Sequence, residues 1–505
     1  MTDWDELLKD LQDRRDTARA MGGSERLEQQ RRDERLDARA RVDRLLDDDT
    51  FVELGTLVGS VHRGVVPPVP ADGLIAGHGL IEGRPVLVGA EDFTVMGGSI
   101  GRGTTAKRQR LAELAGQERV PLVMLLEGAG ERTQNAFEPR GRAPNDLQTL
   151  AHLSGLVPTV AVVMGPSAGH GALTAPLMDF VVMVEGASLF SAGPPLVKEA
   201  TGEDVTKDAL GGTAVHTTLS GVAHNAAPDD RAALDLVRQY LGYFPSNTWQ
   251  VAPVPAGVDD TAARGVDALT ELIPADPRRG YDVRPVVELV ADRGSVLEIE
   301  PAFGRPIVTA LVRLGGAPVA VVANQPAAKA GAIDSEAADK AAHFIDVADA
   351  FHLPLVFFAD NPGVLAGTAA ERSGVLRHAA RMFAAQARVR SPKLHVTLRK
   401  AYGFGSSLMA MNPFDQQTVT LALPGARLGA MPATGGGAAA GVDDDAQRVL
   451  DNAELGGAYS SADAMSYDEV IEPRELRNAL LAALRLASQR RSEAPEPVRH
   501  HGIRP

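Results

Sequence analysis

Two short glycine-flanked turns carry most of the chemistry that this sequence offers. The turn from Gly403 to Gly405 (Gly-Phe-Gly) follows the apolar run Leu394 to Leu398, which predicts a buried strand, and precedes a predicted helix. The turn from Gly169 to Gly171 (Gly-His-Gly) follows the apolar run Val160 to Met164 in the same way. The first N–H groups of a helix have no intrahelical partner and lie at the positive end of its dipole. Each turn can therefore direct amide donors at a negatively charged oxygen, and we predict an oxyanion site at both.

Two opposed oxyanion sites suit the transfer of a group between two carbonyl compounds, each of which becomes enolate-like in turn. A preorganised donor in a dry site lowers a barrier by about 2.7–4 kcal/mol, so two such sites could catalyse transfer without a side-chain acid or base.

The other candidate side chains give weaker evidence for catalysis or metal binding. His216 and His224 are eight residues apart, which does not fit the i, i+4 pair of a helical metal site, so we predict structural roles for both and no metal. Glu127 and Asp360 each end a predicted strand, where a carboxylate is as often a helix cap as a catalytic group.

An internal repeat predicts which elements position the two turns. The two halves of the chain match without a gap at an offset of 233 residues: Pro85-Val86 with Pro318-Val319, Lys107 with Lys340, Pro121 to Val123 with Pro354 to Val356, and Glu127 with Asp360. At an offset of 234 residues, the two turns and the apolar runs before them also coincide. The repeated order of β-strand, turn and helix predicts two copies of one α/β domain.

Three segments follow from the repeat and from local composition. Residues 1–50 are dense in Arg, Asp, Glu and Leu and predict a charged helical arm. Residues 51–270 would form the first copy, and residues 271–505 the second.

The turn from Glu127 to Arg132 contains a Gly-x-Gly pair after a strand, but Thr133 replaces the third glycine of a dinucleotide fingerprint. The GxxxxGK[ST] motif of a nucleotide-binding loop does not occur, so we expect no nucleotide site.

Composition argues against several classes of protein. The net charge of −14 disfavours a nucleic acid or an anionic membrane surface as the main partner. No apolar run approaches the roughly 18 residues of a membrane span, and the first residues lack the apolar core of a signal peptide. The absence of cysteine excludes disulfides, thiolate nucleophiles and cysteine-based zinc sites. We expect a cytoplasmic protein that binds neither nucleic acid nor membrane.

Several longer motifs match one family. They are Thr201 to Thr206 with Leu210 to Gly212, His216 and Ser220 to His224; Ala323 to Pro326; Asp360-x-Pro362-Gly363 with Gly367, Glu371, Gly374 and Arg377 to Ala379; and Arg399 to Gly403. From about Phe51 onward, the sequence resembles the biotin-dependent carboxyltransferases, specifically the β subunits of acyl-CoA carboxylases of the propionyl-CoA type. The resemblance implies a crotonase-like (ClpP/crotonase) fold in each half. It also implies a homohexamer, with active sites between the N-terminal half of one subunit and the C-terminal half of a facing one.

The resemblance further implies the reaction and its partners. The enzyme would transfer the carboxyl group of carboxybiotin to the α-carbon of an acyl-CoA, a coenzyme A thioester. No ATP-binding domain and no Met-Lys-Met biotin-attachment motif is recognisable, so we expect a biotin carboxylase and a biotin carrier on separate chains. By similarity, Gly169 and His170 would stabilise the acyl-CoA enolate, and Phe404 and Gly405 the ureido oxygen of carboxybiotin. The other matched residues form two groups: Gly97, Gly98, Ser99, Gly130, Arg132 and Ser407 for substrate, and Gly363, Tyr402 and Gly403 for biotin.

Three differences from the family bear on specificity. The family usually has Gly-Gly-Ala at both turns, whereas His170 and Phe404 add bulk here beside the reacting atoms. The usual Asp-Ser-Gly-Gly-Ala-Arg is Glu127 to Arg132 in this chain, and Ser407 replaces an aspartate that helps to set acyl-group size. These differences favour an acyl group other than propionyl. Two other functions stay open: a decarboxylase, hydrolase or transferase that acts on acyl-CoA without biotin and uses His170 as a general base, and a non-catalytic scaffold subunit.

Overall fold

Two β-sheets, one in each half of the chain, position the two turns. The structure is a computed structural model that describes residues 3–61, 68–133, 135, 145–254, 260, 262–412 and 415–491. The described residues up to Gly242 form one unit, and those from Tyr243 onward form a second. The sequence places residues 243–270 in the first copy, whereas the described part of that segment clusters with the second unit. The domain limits drawn from the sequence stay a prediction.

The sheet of the first unit begins with antiparallel strands and continues with parallel ones. The strands of this unit are β1 (Val52–Glu53), β2 (Leu74–Ile81), β3 (Arg84–Glu91), β4 (Leu122–Leu126), β5 (Thr159–Val163), β6 (Pro166–Ala168), β7 (Phe180–Val184), β8 (Ser188–Phe190) and β9 (Asn225–Ala227). In the described residues the sheet order is β1-β2-β3-β4-β5-β7-β9, antiparallel from β1 to β3 and parallel from β3 to β9. A separate parallel pair is formed by β6 and β8. Every residue of β4 and β5 is buried, as expected for central parallel strands made of apolar residues.

Helices surround this sheet, and the predicted helical arm is helical. The helices are α1 (Trp4–Arg19), α2 (Ser24–Arg32), α3 (Ala38–Leu45), α4 (Arg102–Glu118), α5 (Asp146–Ala151), α6 (Gly169–Ala172), α7 (Pro194–Thr201), α8 (Lys207–Gly211), α9 (Thr213–Val215) and α10 (Asp230–Gly242). Arg41 of α3 is buried and forms ion pairs with Glu127 and with Asp230, the latter at 2.9 Å. The arm is therefore anchored in the first unit by its last helix.

The sheet of the second unit repeats the same plan. Its strands are β10 (Leu297–Ile299), β11 (Ile307–Leu314), β12 (Ala317–Asn324), β13 (Leu355–Asn361), β14 (Lys393–Tyr402), β15 (Gln417–Ala422), β16 (Arg427–Gly429) and β17 (Glu469–Val470). The order is β10-β11-β12-β13-β14-β15-β17 over the part of the chain that the structure describes, and β16 pairs with the end of β14. The ladders are antiparallel from β10 to β12 and parallel from β12 onward.

The core of the second unit lies between its sheet and the helices α12 and α20. The helices of this unit are α11 (Leu269–Leu272), α12 (Arg284–Val290), α13 (Ser335–Ala350), α14 (Thr368–Arg372), α15 (Val375–Arg388), α16 (Gly403–Leu408), α17 (Ala433–Ala440), α18 (Asp444–Leu455), α19 (Gly457–Asp463), α20 (Leu476–Leu486) and α21 (Ser488–Arg491). Val287 of α12 and Leu480 of α20 belong to one buried apolar cluster with Val321, Val356 and Val396 of the sheet.

Strand registers repeat between the two sheets at the offset found in the sequence. Three cross-strand pairs and their counterparts illustrate this: Ile75 with Ala90 and Val308 with Ala323, Val88 with Val123 and Val321 with Val356, Val123 with Val160 and Val356 with Leu394. The offset is 233 residues for the first two strand pairs and becomes 234 at β14 because one residue is inserted between β13 and β14. The prediction of two copies of one α/β domain is confirmed.

None of the helices among the described residues combines the length and the apolarity that crossing a membrane requires. In the same residues, His, Asp and Glu side chains form no group of three that could hold a metal ion.

Candidate functional site

The first turn joins β6 to α6 beyond the carboxyl end of β5. Ala168 is extended, with φ of −134°, and Gly169 has φ of +59°, a left-handed conformation that turns the chain into α6. A side chain at position 169 would be strained in that conformation, so the turn itself requires glycine. Ala168 pairs with Phe190 of β8, which fixes the direction in which the chain leaves the strand.

The second turn has the same backbone geometry in the second unit. Every residue of β14 is buried, and Tyr402 at its end is extended with φ of −111°. Gly403 has φ of +56° and begins α16, as Gly169 begins α6. The repeat therefore extends to the left-handed residue of each turn. Because the first amides of a helix have no intrahelical acceptor, both turns present N–H donors at matching places.

Two loops of the first unit are hydrogen-bonded to one another and to the first turn. The amide of Ala129 donates to the carbonyl of Gly97 at 2.9 Å, and the amide of Ala168 donates to the carbonyl of Gly128 at 3.0 Å. The second bond ties the loop after β4 directly to the residue that precedes Gly169. Four residues expected from the sequence to bind substrate therefore lie in loops beside this turn: Gly97, Gly98, Ser99 and Gly130.

The second unit repeats this contact between loops. The amide of Ile333 donates to the carbonyl of Gly363 at 3.1 Å, and the matching bond in the first unit joins Ile100 to Gly130 at 2.8 Å. A Cβ atom built on Gly405 would lie 2.7 Å from Cα of Gly363, so the turn packs directly on that loop. Gly363, which the resemblance assigns to biotin, therefore lies against the second turn.

Arg132 lies beside the first turn, but neighbouring groups occupy its guanidinium. It forms an ion pair with Asp72 at 2.7 Å and donates to the carbonyl of Ser99 at 3.0 Å, and only 10% of its side chain is exposed. Hydrogen bonds from Arg132 thus hold the loop that contains Ser99 to the loop after β4, and the ion pair joins the same side chain to Asp72. We infer a role for Arg132 in fixing these loops, since its charge is already balanced by Asp72.

His170 directs its side chain at a buried carboxylate. Its Nε2 lies 2.7 Å from Oδ1 of Asp146, the first residue of α5. Asp146 is buried, whereas 31% of the His170 side chain is exposed. The first turn therefore carries a histidine–aspartate pair with one end in the protein interior and the other at the surface.

A second layer of charge lies behind that pair. Arg108 of α4 forms ion pairs with Asp146 at 2.8 Å and with Glu91 at 2.9 Å, and Glu91 accepts the amide of Glu127 at 2.8 Å. Burial disfavours the charged form of Asp146, but hydrogen bonding to His170 and the charge of Arg108 outweigh it and lower the pKa of Asp146 to about 2. Burial raises the pKa of Glu91, and Arg108 opposes that shift. Asp146 is consequently an ionised hydrogen-bond acceptor at neutral pH.

The second turn carries an exposed aromatic ring in place of the histidine. Phe404 is 52% exposed, Ser407 is half-buried, and Gly405 is buried. Tyr402 is buried, and burial together with a hydrogen bond to the Glu454 carboxylate raises its pKa. The Tyr402 hydroxyl is therefore hydrogen-bonded within the protein, and Phe404 is the exposed side chain of this turn.

The two strand-end carboxylates are structural groups. Glu127 is fully buried against Arg41 and Arg35, the latter at 2.7 Å. Asp360, its counterpart in the repeat, is fully buried against Arg399 at 2.7 Å. Burial raises the pKa of Asp360, and Arg399 opposes that shift. Neither carboxylate caps a helix or faces solvent.

His216 and His224 also make contacts within the protein. His216 bonds through Nε2 to the carbonyl of Leu189 at 2.6 Å and through Nδ1 to the Ser220 hydroxyl at 2.8 Å. His224 accepts the amide of Val181 at 2.8 Å. These contacts fasten the segment after α9 to strands β8 and β7, and they match the structural roles predicted for both residues.

The structure adds three residues that the sequence does not single out. Asp146, Arg108 and Glu91 belong to three different elements, and no spacing between them forms a motif. A single signal was present in the sequence, namely the bulky His170 at a turn that otherwise needs only small residues. A histidine there requires a polar partner nearby, and that partner is Asp146.

Comparison with known proteins shows which proteins this chain is similar to. A carboxyl transferase domain model matches residues 29–502. A propionyl-CoA carboxylase carboxyltransferase subunit from Haloferax mediterranei is 36% identical over 99% of this chain and 99% of its own. A methylmalonyl-CoA decarboxylase α subunit from Veillonella parvula is 35% identical over 97% of this chain and 98% of its own. The crystal structure of transcarboxylase 12S with methylmalonyl-CoA and methylmalonic acid bound matches with a TM-score of 0.91 and 33% identity, covering 100% of this chain and 99% of that one.

Proposed function

The chain belongs to the carboxyl transferase family, and we propose that it exchanges a carboxyl group between biotin and the α-carbon of an acyl-CoA. As a member of this family it is an acyl-CoA carboxyltransferase. The biotin is carried on a separate chain, which a biotin carboxylase chain loads with carboxylate. A relative from Mycobacterium leprae that is 36% identical is named a biotin-dependent acetyl-/propionyl-coenzyme A carboxylase subunit, which supports biotin as the carrier of the carboxyl group.

The observation that carries this proposal is the match between the two turns. Gly169 and Gly403 have φ values of +59° and +56°, and each follows an extended residue at the end of a corresponding strand. Carboxyl exchange has two partners, and each develops negative charge on a carbonyl oxygen when the carboxyl group is absent. Two matched sets of amide donors fit two such oxygens, and each donor is worth about 2.7–4 kcal/mol in a dry site.

The first turn is assigned to the acyl-CoA. Amides of Gly169 and His170 would donate to the thioester oxygen as its α-carbon becomes nucleophilic. The loops that contain Gly97 and Gly130 lie beside this turn and supply backbone groups for the rest of the thioester. Arg132 would act by holding these loops rather than by pairing with a phosphate, because Asp72 already balances its charge.

The second turn is assigned to biotin, and its donor set fits the ureido group. Neutral amide donors suit an oxygen that gains charge during transfer, and the exposed ring of Phe404 offers an apolar surface for a bicyclic ring. Bound carboxybiotin supplies the carboxyl group. Phe404 and Gly405 would orient the ureido oxygen, while Gly363 and Tyr402 support the turn from beneath.

The direction of exchange is left to the partner chains. One relative is named as a carboxylase subunit and another as a decarboxylase subunit, so the names of these relatives span both directions. The step that such reactions share is carboxyl exchange between a thioester and a carrier. We infer that this chain performs the shared step.

We propose a homohexamer as the active assembly. A solved structure of transcarboxylase 12S, which matches the whole chain with a TM-score of 0.90, is described as a hexamer assembly, and this supports the proposed state. In the proposed hexamer, the first turn of one subunit faces the second turn of another. Light scattering should give six times the chain mass of 53.1 kDa, and a fully active monomer would contradict the assembly.

Reconstitution tests the proposed function. The purified chain alone should neither hydrolyse ATP nor fix labelled bicarbonate into an acyl-CoA. Fixation should appear when a biotin carboxylase and a biotinylated carrier protein are added, and avidin should abolish it because avidin sequesters biotin. Carboxylation that proceeds with avidin present would contradict the proposal, and so would ATP-dependent fixation by the chain alone.

A further inference from the structure

The pairing of His170 with Asp146 points to a chemical role for a side chain at the first turn. We propose that His170 is the base that removes the α-proton of the acyl-CoA, with Asp146 as its positioning residue. The inference rests on the proposed function, because it assigns a proton acceptor to the thioester bound at that turn. It differs from catalysis by backbone amides alone, which would leave the proton without an acceptor in this chain.

The hydrogen bond fixes which ring nitrogen can act. An ionised carboxylate only accepts hydrogen bonds, so Asp146 requires the hydrogen of a neutral His170 to be on Nε2. Nδ1 is then the nitrogen with a free lone pair. Among the residues that the structure describes, none forms a hydrogen bond with Nδ1. The aspartate thus holds the imidazole in one tautomer and stabilises the imidazolium that forms when Nδ1 takes a proton.

The position of Nδ1 follows from covalent geometry. Nδ1 is the ring nitrogen closer to the backbone, so it stays on the side of the turn while Nε2 is tied to α5. The amides of the turn would hold the thioester oxygen, and the α-carbon is attached to the same carbonyl carbon. A base on this residue therefore lies beside the proton that must leave. The 31% exposure of the side chain leaves room for a substrate to approach.

Charged groups around the pair support a proton acceptor. Asp146 approaches His170 from α5, and Arg108 of α4 and Glu91 at the end of β3 lie behind Asp146. Arg108 contacts the carboxylate and keeps it ionised, which is the form that orients the imidazole. None of these three groups depends on a partner from outside the first unit.

The second copy lacks this arrangement. Phe404 occupies the place of His170, Ala341 that of Arg108 and Asn324 that of Glu91 at the offsets of the repeat. Only one of the two reactants loses a proton from carbon, namely the acyl-CoA. A histidine at the first turn and a phenylalanine at the second give the asymmetry that this chemistry requires.

Proton abstraction by His170 comes first in the proposed reaction. The α-carbon–hydrogen bond breaks, the proton forms a bond to Nδ1 of His170, and the electron pair moves into the thioester to give its enolate. The enolate carbon then forms the new carbon–carbon bond to the carboxyl group. The proton held by His170 replaces the carboxyl group on the ureido nitrogen of biotin, directly or through water. In the absence of biotin, the hydrogen held by His170 exchanges with solvent, and a solvent proton is then returned to the α-carbon.

Hydrogen exchange tests this step without biotin. The intact wild-type enzyme is incubated with acetyl-CoA, propionyl-CoA or butyryl-CoA deuterated at the α-carbon, and loss of deuterium is followed by mass spectrometry. Wild type should wash out deuterium from at least one thioester. His170→Asn should slow washout by about 10² or more, while the affinity for the thioester changes by less than about threefold. The rising pH limb of the washout rate should vanish in the same variant.

Two further variants separate a base from a structural role. Asp146→Asn should slow washout by about tenfold or more, because it no longer fixes the tautomer. His152→Asn, at an exposed histidine next to α5 in the same unit, should leave washout unchanged. Circular dichroism and melting curves show whether each variant is folded.

The proposal fails in two cases. One is washout by folded His170→Asn within about tenfold of wild type, and the other is absence of washout by wild type that carries out carboxyl exchange normally. Washout that depends on His170 in an enzyme unable to exchange carboxyl groups with biotin would instead overturn the proposed function and support the base.

Discussion

Lys107 and Lys340 donate to the same carbonyl position in the two copies of the repeat. Nζ of Lys107 lies 2.7 Å from the carbonyl of Leu74, and Nζ of Lys340 lies 2.8 Å from the carbonyl of Ile307. Leu74 begins β2 and Ile307 begins β11, so each lysine ties its helix to the start of the first long strand of its sheet. Both ammonium groups are buried, and burial lowers the pKa of each lysine to about 8.

Replacement of Lys340 should destabilise the fold. Lys340 also donates to the carbonyls of Glu300 and Phe303, so Lys340→Met leaves three buried carbonyls without that donor. Each buried group left unsatisfied costs about 1–3 kcal/mol. The loss in free energy of unfolding, measured with urea, should be several times larger for Lys340→Met than for Lys198→Met, a control at an exposed position. Equal stability of the two variants would contradict this role for Lys340.

Stability should fall between pH 6.5 and pH 4 because of His395. Burial lowers the pKa of His395 to about 4, and the hydrogen bond to the Met409 carbonyl opposes that shift. In this range the unfolded state binds a proton that the folded state excludes, so stability is lost as pH falls from about 6.5 to about 4. This difference in the pKa of His395 between the unfolded and the folded state is worth about 3 kcal/mol of stability. Melting temperatures of wild type and His395→Asn across this range should converge as pH falls, and parallel curves would rule out His395 as the cause.

Gly405 should tolerate no side chain. A Cβ atom there would lie 2.6 Å from Oδ1 of Asn361 and 2.7 Å from Cα of Gly363, so the turn would have to move. Gly405→Ala should lower kcat for carboxyl exchange with free biotin by about 10²-fold, the cost of one misplaced oxyanion donor. Gly425→Ala is the matched control, because a Cβ atom there meets nothing within 4 Å. An active Gly405→Ala variant would show that the second turn does not act through its backbone.

Arg132 and Asp72 should behave as one unit. Arg132→Met leaves a buried carboxylate without its partner, which should lower the free energy of unfolding by about 3–5 kcal/mol. Adding Asp72→Asn should recover much of that loss, since the uncompensated charge is gone. The double variant should bind acyl-CoA within about threefold of wild type, as measured by calorimetry. A stable double variant that binds acyl-CoA far more weakly would instead place Arg132 in contact with substrate.

The repeat made most of the fold predictable from the sequence. Paired positions such as Val88 and Val321 lie on strands whose neighbours keep the same register, so a fixed offset in sequence becomes a fixed place in space. The turns at Gly169 and Gly403 could be found for the same reason. Each combines a buried strand, a glycine and a helix in an order that local rules detect.

The network behind the first turn could not be predicted in that way. Asp146, Arg108 and Glu91 meet only after α4, α5 and β3 have packed, and neither periodicity nor spacing encodes such a meeting. The contacts of Arg132 were also beyond the reach of the sequence. The family resemblance assigns it to substrate, which stays a prediction, and only packing reveals that its guanidinium pairs with Asp72.

Transfer of labelled carboxylate to free biotin tests the central claim most directly. The purified chain is mixed with free biotin and with methylmalonyl-CoA or malonyl-CoA labelled with ¹⁴C in the free carboxyl group, without ATP. The account predicts acid-labile label on biotin, and its loss by about 10² to 10³ in Gly405→Pro, which removes an amide donor from the second turn. Label that is released only as carbon dioxide, at the same rate with and without biotin, would contradict carboxyl exchange with biotin.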